Sequence, residues 1–307
     1  MTFDFSSSRA PRTTELYESV WKDWTAFCAS IDASALPATA ETVLEFLRAR
    51  ERTHSTAALS ARKSAIIAAH KDARSRLPDD QRAAFMLEHD DRLKLGWKEI
   101  LRRKGNRHTP REAVGGVKLK ELLKRVPRGP AGDMDRAILL VGLACAMRRS
   151  EIAALNRDDI EFTDDAMLVH IRRSKTDQTG LGTTLAAART HTEACPVAAM
   201  ERWIEVGQVS DGPLFRHPKF KTHRRIDDSY PYTLVKRYGK AAGYDPKPLG
   251  AHSLRRGFVT DVIKSGDVPL SDSMAAARHK TPAIHLGYVQ TETATRNPAI
   301  RALASVL

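Results

Sequence analysis

The chain has 307 residues and carries 50 Lys and Arg against 37 Asp and Glu, which gives a formal net charge of +13. The length suggests two domains, and a hydrophobic content of 42% excludes both a disordered chain and a membrane-embedded one. The longest apolar run, residues 137–147, is too short to cross a membrane, and the excess of positive charge indicates a polyanionic partner.

Helical periodicity dominates the first hundred residues. Apolar residues recur at intervals of three and four and predict helices over residues 13–31, 40–50, 57–73 and about 80–103. Residues 1–12 lack the apolar stretch of a signal peptide. A segment without apolar residues follows at 102–111 and has the Gly, Pro and basic residues of a linker. We therefore place a domain boundary between residues 1–107 and residues 108–307.

Both parts of the chain are basic, with 19 basic and 15 acidic residues up to Arg107 and 31 basic and 22 acidic residues after it. This distribution favours a two-lobed protein that grips a polyanion from two sides. Cys28, Cys145 and Cys195 are widely spaced among apolar neighbours. They are expected to be core residues, with no disulfide framework and no zinc site.

The second part combines helices with a small sheet. Residues 160–162 and 168–171 have strand periodicity on either side of a turn at 163–165, and residues 183–188 are a candidate further strand. Helical patterns lie on both sides of this sheet, at residues 117–126, 133–146, 197–206, 233–242, 253–264, 271–277, 282–289 and 298–307. The fold class predicted from these patterns is mainly α with a small antiparallel β-sheet.

Two basic positions lie at predicted junctions. Arg148 follows an apolar helix and precedes another, for which Ser150 is the expected N-cap and Glu151 a favourable first-turn charge. Taken alone, Arg148 and its neighbour Arg149 would be solvated surface residues. Lys175 is expected at a hairpin tip, where a lysine is normally a solubilising side chain or a phosphate contact.

Two further positions are histidines followed at fixed spacing by a polar partner. His252 and Arg255 open a predicted helix and share one face. His279 precedes a helix start at Thr281 and Pro282, and Tyr288 follows nine residues after His279. By itself Tyr288 would be a core tyrosine, and His285 is expected to face solvent.

The order and spacing of these residues resemble those of the tyrosine recombinase (phage integrase) family. The likeness covers the whole second domain: an arginine before Ser-Glu, a hairpin lysine, a His-x-x-Arg helix start, and a histidine nine residues before a tyrosine. The family often has Gly-Leu before the first arginine and Gly before the later histidine, whereas this chain has Ala146-Met147 and Arg278. These departures remove no reacting group.

The resemblance implies a helical, SAM-like core-binding domain at residues 1–107 and an α+β catalytic domain at residues 108–307 with a C-terminal helix, together forming a C-shaped DNA clamp. It also implies a site-specific DNA recombinase in which the tyrosine forms a 3′-phosphotyrosyl bond. The catalytic residues implied are Arg148, Lys175, His252, Arg255, His279 and Tyr288, with Glu151 orienting either Arg148 or its helix. The two arginines would hold phosphate oxygens, His252 would take the phenol proton, and Lys175 would protonate the leaving 5′-oxygen. His279 would hydrogen-bond either a non-bridging oxygen or Tyr288.

Neither a cofactor nor a metal is expected. The acidic pairs at 158–159, 164–165 and 227–228 point apart on any regular element, so they do not form a two-metal site. The sequence has no phosphate-binding Gly-rich loop followed by Lys and Ser or Thr. Two alternatives to a recombinase stay open: a type IB topoisomerase-like nicking and resealing enzyme, and a catalytically inactive DNA-binding relative.

The expected partner is double-stranded DNA with an inverted-repeat recombination site, bound by a homotetramer on two duplexes, with a monomer in the absence of DNA. No membrane association is expected, and the location implied is the cytoplasm, at the nucleoid. Basic residues flanking the motifs and in the linker are candidates for DNA contact: Arg102, Arg103, Lys104, Arg107, Arg149, Arg172, Arg173 and Arg256.

Overall fold

The computed structural model describes residues 11–105, 111–172, 182–216, 223–279 and 281–286. The chain divides into two compact units, Met1–His108 and Thr109–Leu307. The described part of the first unit contains the helices α1 (Pro11–Ser30), α2 (Ala40–Ala49), α3 (Thr56–Ser75) and α4 (Asp91–Lys104). Their buried face includes Trp24, Phe46 and Ile66, the periodic apolar residues that predicted the helices.

The fourth predicted helix begins later than its pattern indicates. Residues 79–89 form short 3₁₀ turns at Asp79–Gln81, Ala83–Phe85 and Leu87–His89. Asp90 then caps α4, because its carboxylate accepts hydrogen bonds from the backbone N–H groups of Arg92, at 2.8 Å, and Leu93, at 3.2 Å. Pro78 precedes the turns in an extended conformation. Periodicity alone predicts a single helix here, but the turns after Pro78 and the Asp90 cap delay its start.

The second unit surrounds a small antiparallel sheet with helices. The strands β1 (Ile160–Phe162), β2 (Ala166–Ile171) and β3 (Thr183–Ala188) lie in that order in the sheet, so the mainly α class with a small antiparallel sheet is confirmed. Val169 opposes Ile160 on one side and Leu185 on the other. All three are buried, so one face of the sheet packs on the helices.

The helices of the second unit place the functional side chains. In the described residues they are α5 (Gly116–Leu123), α6 (Pro130–Ala144), α7 (Arg149–Ala154), α8 (Pro196–Val206), α9 (Tyr230–Ala241), α10 (Ala251–Ser265), α11 (Leu270–Ala276) and α12 (Pro282–Leu286). Helix α6 packs against α8, α9 and α10. The predicted helix at 298–307 and the end of the one at 282–289 lie outside the described residues.

Cys28, Cys145 and Cys195 are free and buried, which confirms their prediction as core residues. Burial raises the pKa of the Cys145 thiol to about 12, so this group stays protonated. Within the ranges that the structure describes, no helix combines the length and the apolar character needed to span a membrane.

Candidate active site

The first predicted arginine lies at the junction between α6 and α7. Arg148 occupies the N-cap position of α7 in an extended conformation, and its backbone N–H donates to the Glu151 carboxylate at 2.8 Å. The expected cap at Ser150 is therefore wrong: the helix begins at Arg149, one residue before Ser150. The hydrogen bond that the Glu151 carboxylate accepts from the Arg148 N–H fixes the start of the helix.

Glu151 joins two arginines. One carboxylate oxygen accepts from Arg148 Nη1 at 2.7 Å, and the other accepts from Arg278 Nη2 at 2.9 Å. The residue is 3% exposed. Burial alone would raise its pKa, but the Arg148 N–H and the Arg278 charge outweigh burial, so the pKa lies below its ordinary value. Glu151 is thus charged at neutral pH, and it holds both the Arg148 side chain and the start of α7.

The second predicted arginine projects from α10. Arg255 is 1% exposed, and its guanidinium donates to the carbonyl of Ala146 at 2.7 Å and to the carbonyl of Ala277. The Ala146 carbonyl also accepts from Arg278 at 3.2 Å. Arg148, Arg255 and Arg278 are therefore tied together through one carboxylate and one carbonyl oxygen.

His252 lies near the start of the same helix. Gly250 caps α10, and its N–H donates to Ser253 Oγ at 3.0 Å. Desolvation, followed by the charges of nearby arginines, lowers the pKa of His252. The residue is exposed and lies within reach of the Arg255 and Arg148 charges, which disfavour its protonated form. The ring is neutral near pH 7 and can accept a proton.

His279 follows α11 and is partly buried. Burial and then the charge of Arg255 lower its pKa to about 4. Its Nδ1 lies 2.8 Å from Nδ1 of His285. Arg148 and, when it is protonated, His252 also act electrostatically on His279, so the structure brings Arg148, His252, Arg255 and His279 into one neighbourhood.

The remaining predicted residues are distributed as follows. Lys175 and Tyr288, together with Arg107 and Arg173, lie outside the described residues. Arg102 is exposed. Three others are paired: Arg103 with Glu51 at 3.2 Å, Arg149 with Asp228 at 3.7 Å, and Arg172 with Asp159 at 2.5 Å, while Lys104 donates to the Glu51 carbonyl. Arg256 is 5% exposed in α10, beside the similarly buried Arg255, and its contact with DNA stays a prediction.

Sequence reasoning missed one residue of this neighbourhood. The sequence predicts that His285 faces solvent, but this side chain is fully buried and bonded to both His279 and Ser273. Helix α12 has five residues, too few for periodicity to define a buried face. The available signal was another histidine six residues after His279, on the far side of a helix start.

Among the residues that the structure describes, no group of three or more His, Cys, Asp and Glu side chains could hold a metal ion. Two permanent cations, Arg255 and Arg278, donate to the Ala146 carbonyl, and the arginine charges of the site lower the pKa values of His252 and His279. Such a set can bind an anion with several oxygens and move a proton beside it.

Solved structures share this fold. A XerH site-specific recombinase bound to palindromic difH substrate superposes with a TM-score of 0.70 at 16% identity, over 96% of this chain and 79% of that one. A lambda integrase dimer bound to a COC' core site gives a TM-score of 0.66 at 13% identity, over 94% and 74% of the two chains. At these identities the likeness shows that this chain shares the fold of those two proteins.

Sequence comparison gives the family. A model described as the Phage integrase family matches residues 116–293, more than half of the chain, and the protein belongs to that family. The chain is 27% identical over 292 residues to an integrase/recombinase XerD homolog of Selenomonas ruminantium, covering 92% of this chain and 82% of the relative. It is 28% identical over 142 residues to the tyrosine recombinase XerC of Alcanivorax borkumensis, covering 45% and 42% of the two chains.

Proposed function

We propose that this protein is a site-specific DNA recombinase that cleaves and rejoins strands through a 3′-phosphotyrosyl bond to Tyr288. The observation that carries the proposal is the pair of arginines, Arg148 and Arg255, linked through Arg278, Glu151 and the Ala146 carbonyl. Phosphodiester transfer builds negative charge on the non-bridging oxygens, and preorganised cations stabilise that charge in the transition state. Arginine suits this role because its guanidinium stays charged and presents a planar fork.

In the proposed step, the Tyr288 phenolic oxygen attacks the phosphorus while the bond from phosphorus to the 5′-oxygen breaks. His252 takes the phenol proton, and its lowered pKa keeps it neutral and able to do so. Lys175 gives a proton to the departing 5′-oxygen. A free 5′-hydroxyl of a partner strand later attacks the phosphotyrosyl bond and releases Tyr288, so one phosphodiester replaces another without an external energy source.

The proposed assembly is a homotetramer on two duplexes, each with an inverted-repeat site. Two solved relatives of the fold support this arrangement: the XerH structure holds a palindromic substrate, and one lambda integrase structure is a tetramer on a Holliday junction. Residues 298–307 would dock on a neighbouring subunit. Within the family, we propose that the chain is most like the phage Cre recombinase. The features that support this likeness are the helical N-terminal part and the 19 residues after Tyr288.

The test is capture of a covalent adduct, and the captured DNA itself reveals the target sequence. Purified protein is incubated with sheared genomic DNA of the source organism and denatured in detergent, and the DNA that stays attached to protein is sequenced. We expect one enriched site with inverted repeats. Tyr288→Phe should lose the adduct completely while keeping its affinity for that site in a native gel, because the ring remains and the attacking oxygen does not.

Each contrary result selects another function. Failure of the wild-type chain to form an adduct with any DNA would indicate the inactive DNA-binding relative. An adduct with relaxation of supercoils, but with no exchange between two copies of the captured site, would indicate the topoisomerase-like enzyme. An adduct that persists in Tyr288→Phe would exclude Tyr288 as the nucleophile.

A further inference from the structure

A chain of hydrogen bonds runs from α11 through α12 to His279. Ser273 Oγ lies 2.9 Å from His285 Nε2, and His285 Nδ1 lies 2.8 Å from His279 Nδ1. The His285 ring is fully buried and Ser273 is 1% exposed. The two imidazole rings are 5.0 Å apart between centroids, with their planes at 68°. We call these three side chains the Ser–His–His chain.

The two facing Nδ1 atoms require that one histidine donates and the other accepts. Burial lowers the pKa of His285, and burial with the Arg255 charge lowers that of His279 to about 4, so both rings are neutral near pH 7. A neutral imidazole carries one hydrogen and one lone pair on its two nitrogens. The tautomer of one ring therefore dictates the tautomer of the other.

Two arrangements satisfy the distances. In the first, His285 Nδ1–H donates to His279, Ser273 Oγ–H donates to His285 Nε2, and His279 carries its hydrogen on Nε2. In the second, every donor is reversed, and His279 Nε2 is a bare lone pair. A phosphate oxygen can only accept, so the second arrangement would set two acceptors against each other and forfeit a hydrogen bond to a charged group.

We propose that His285 is a positioning residue that holds His279 in the tautomer with hydrogen on Nε2, so that His279 donates to a non-bridging oxygen of the reacting phosphate. The inference rests on the proposed function for the identity of the acceptor. In this arrangement Ser273 is the donor to His285 Nε2, across the 2.9 Å contact, and the His285 hydrogen lies on Nδ1. The role corresponds to the partner that fixes the tautomer of a catalytic or metal-bound histidine.

The tautomer is measured directly on the full chain without DNA. Nitrogen-15 NMR of protein labelled at histidine distinguishes protonated from unprotonated ring nitrogens, and a His279→Gln variant assigns the His279 signals. At pH 7.5 we expect Nε2 of His279 to be protonated and Nδ1 unprotonated. His285→Leu should give a mixture of both tautomers, and His285→Asn, which can place an amide N–H near the lost Nδ1–H, should restore the single form.

The opposite tautomer in the wild-type chain, or a tautomer unchanged by His285→Leu, would overturn the inference. If His285→Leu does not fold, Ser273→Ala replaces it, because removing the hydroxyl donor should also release the tautomer. None of these readings depends on DNA cleavage, so they remain decisive if the proposed recombinase activity is absent.

Cleavage supplies the second measurement. On the captured DNA site, His285→Leu should slow formation of the covalent adduct about tenfold to a hundredfold, the usual effect of removing a partner that orients a functional histidine. DNA affinity should not change, and His285→Asn should recover most of the rate. His70→Leu is the matched control, because His70 is also fully buried with both ring nitrogens bonded, to the Ala38 N–H and the Ile66 carbonyl.

His70 belongs to the first compact unit and to no proposed catalytic contact. Its replacement should lower stability and leave the rate of adduct formation unchanged. A wild-type rate in His285→Leu, or an equal loss of rate in His70→Leu, would contradict the positioning role. Absence of an adduct with the wild-type chain would instead count against the proposed function, with the NMR result still deciding the role of His285.

Discussion

Arg278 and Ala146 occupy backbone conformations that favour glycine. Their φ angles are +52° and +45°, in the left-handed region, which costs a residue with a Cβ roughly 1–2 kcal/mol. Arg278 is the position at which the family often has Gly, and Ala146 stands in place of the Gly in its Gly-Leu pair. The family preference is thus a backbone requirement. In this chain the contacts of Arg278 with Glu151 and the Ala146 carbonyl offset the strain.

A comparison of Arg278→Gly with Arg278→Ala separates the backbone from the side chain. Both variants lose the guanidinium contacts, but Gly also relieves the strain, at the cost of about 0.4–1 kcal/mol of added unfolded-state entropy. We expect Arg278→Gly to be more stable than Arg278→Ala by a few tenths to about 1 kcal/mol in urea denaturation. Ala146→Gly should give a similar gain over the wild type, and an Ala variant as stable as the Gly variant would contradict the argument.

Four of the residues that the family resemblance implies, Arg148, His252, Arg255 and His279, lie in one neighbourhood, and each lies in or beside an end of α7, α10 or α11. The contacts between them were not predictable. Arg255 donates to the backbone carbonyl of Ala146, and a pattern of side chains cannot predict a hydrogen bond to a backbone oxygen. His285 was misplaced because its burial depends on tertiary packing rather than on the period of its short helix.

Helix α10 carries His252 and Arg255 and is positioned by a close backbone contact. The segment at residues 112–115 runs beside it, where the Val114 N–H donates to the Ser253 carbonyl at 2.8 Å. A Cβ on Gly257 would lie 2.0 Å from the Val114 carbonyl oxygen and 2.6 Å from the Gly115 nitrogen. Because these are backbone atoms, no change of side-chain rotamer can remove the clash.

Gly257→Ala should therefore destabilise the protein by about 1–3 kcal/mol, the usual cost of overpacking, even though alanine favours a helix interior by about 1 kcal/mol. The displaced helix should also slow adduct formation. Urea denaturation measures the first effect. The control is Gly116→Ala, whose Cβ would meet Asp261 at an ordinary 3.7 Å and should change stability by less than about 0.5 kcal/mol. A neutral Gly257→Ala variant would show that the contact does not constrain α10.

The elements themselves were largely predictable. Apolar residues on either side of the turn at 163–165 predicted the hairpin of β1 and β2, and the register confirms it, with Ile160 opposite Val169. The error over residues 79–89 arose because the apolar residues Phe85 and Leu87 were included with the apolar pattern of α4, whereas the Asp90 cap and a run of 3₁₀ turns decide the local structure. A capping residue and the apolar period can indicate different first residues for a helix, and side-chain spacing alone does not show which of them sets the start.

At the scale of the whole molecule, each compact unit contains at least one buried histidine among its described residues. His70 lies in the core of the first unit, and His279 and His285 lie at the candidate site of the second. Desolvation is the largest cause of the lowered pKa at each of them. For His70 the ring accepts the Ala38 N–H on Nε2, so protonation would also break that bond.

These shifts set a pH dependence of stability with a definite sign. Above the ordinary histidine pKa of 6.5, neither the folded nor the unfolded chain holds the proton, so stability does not change with pH through these groups. Below 6.5 the unfolded chain takes up protons that the folded chain resists, and stability falls as the pH falls towards the folded-state values. Asp23 and Glu151 have lowered pKa values, so their contribution is lost at lower pH, below the ordinary carboxylate range.

We therefore expect the melting temperature to be the same at pH 7.5 and pH 8.5 and clearly lower at pH 5.5, a comparison that calorimetry at constant ionic strength can make. His70→Gln should reduce the drop, because glutamine can still accept the Ala38 N–H and does not titrate. His89→Gln is the matched control, since His89 is an exposed histidine of the same unit. A melting temperature that rises on acidification to pH 5.5 would contradict this explanation. So would a drop that His70→Gln leaves unchanged and His89→Gln reduces, because buried neutral histidines would then not determine stability between pH 7.5 and pH 5.5.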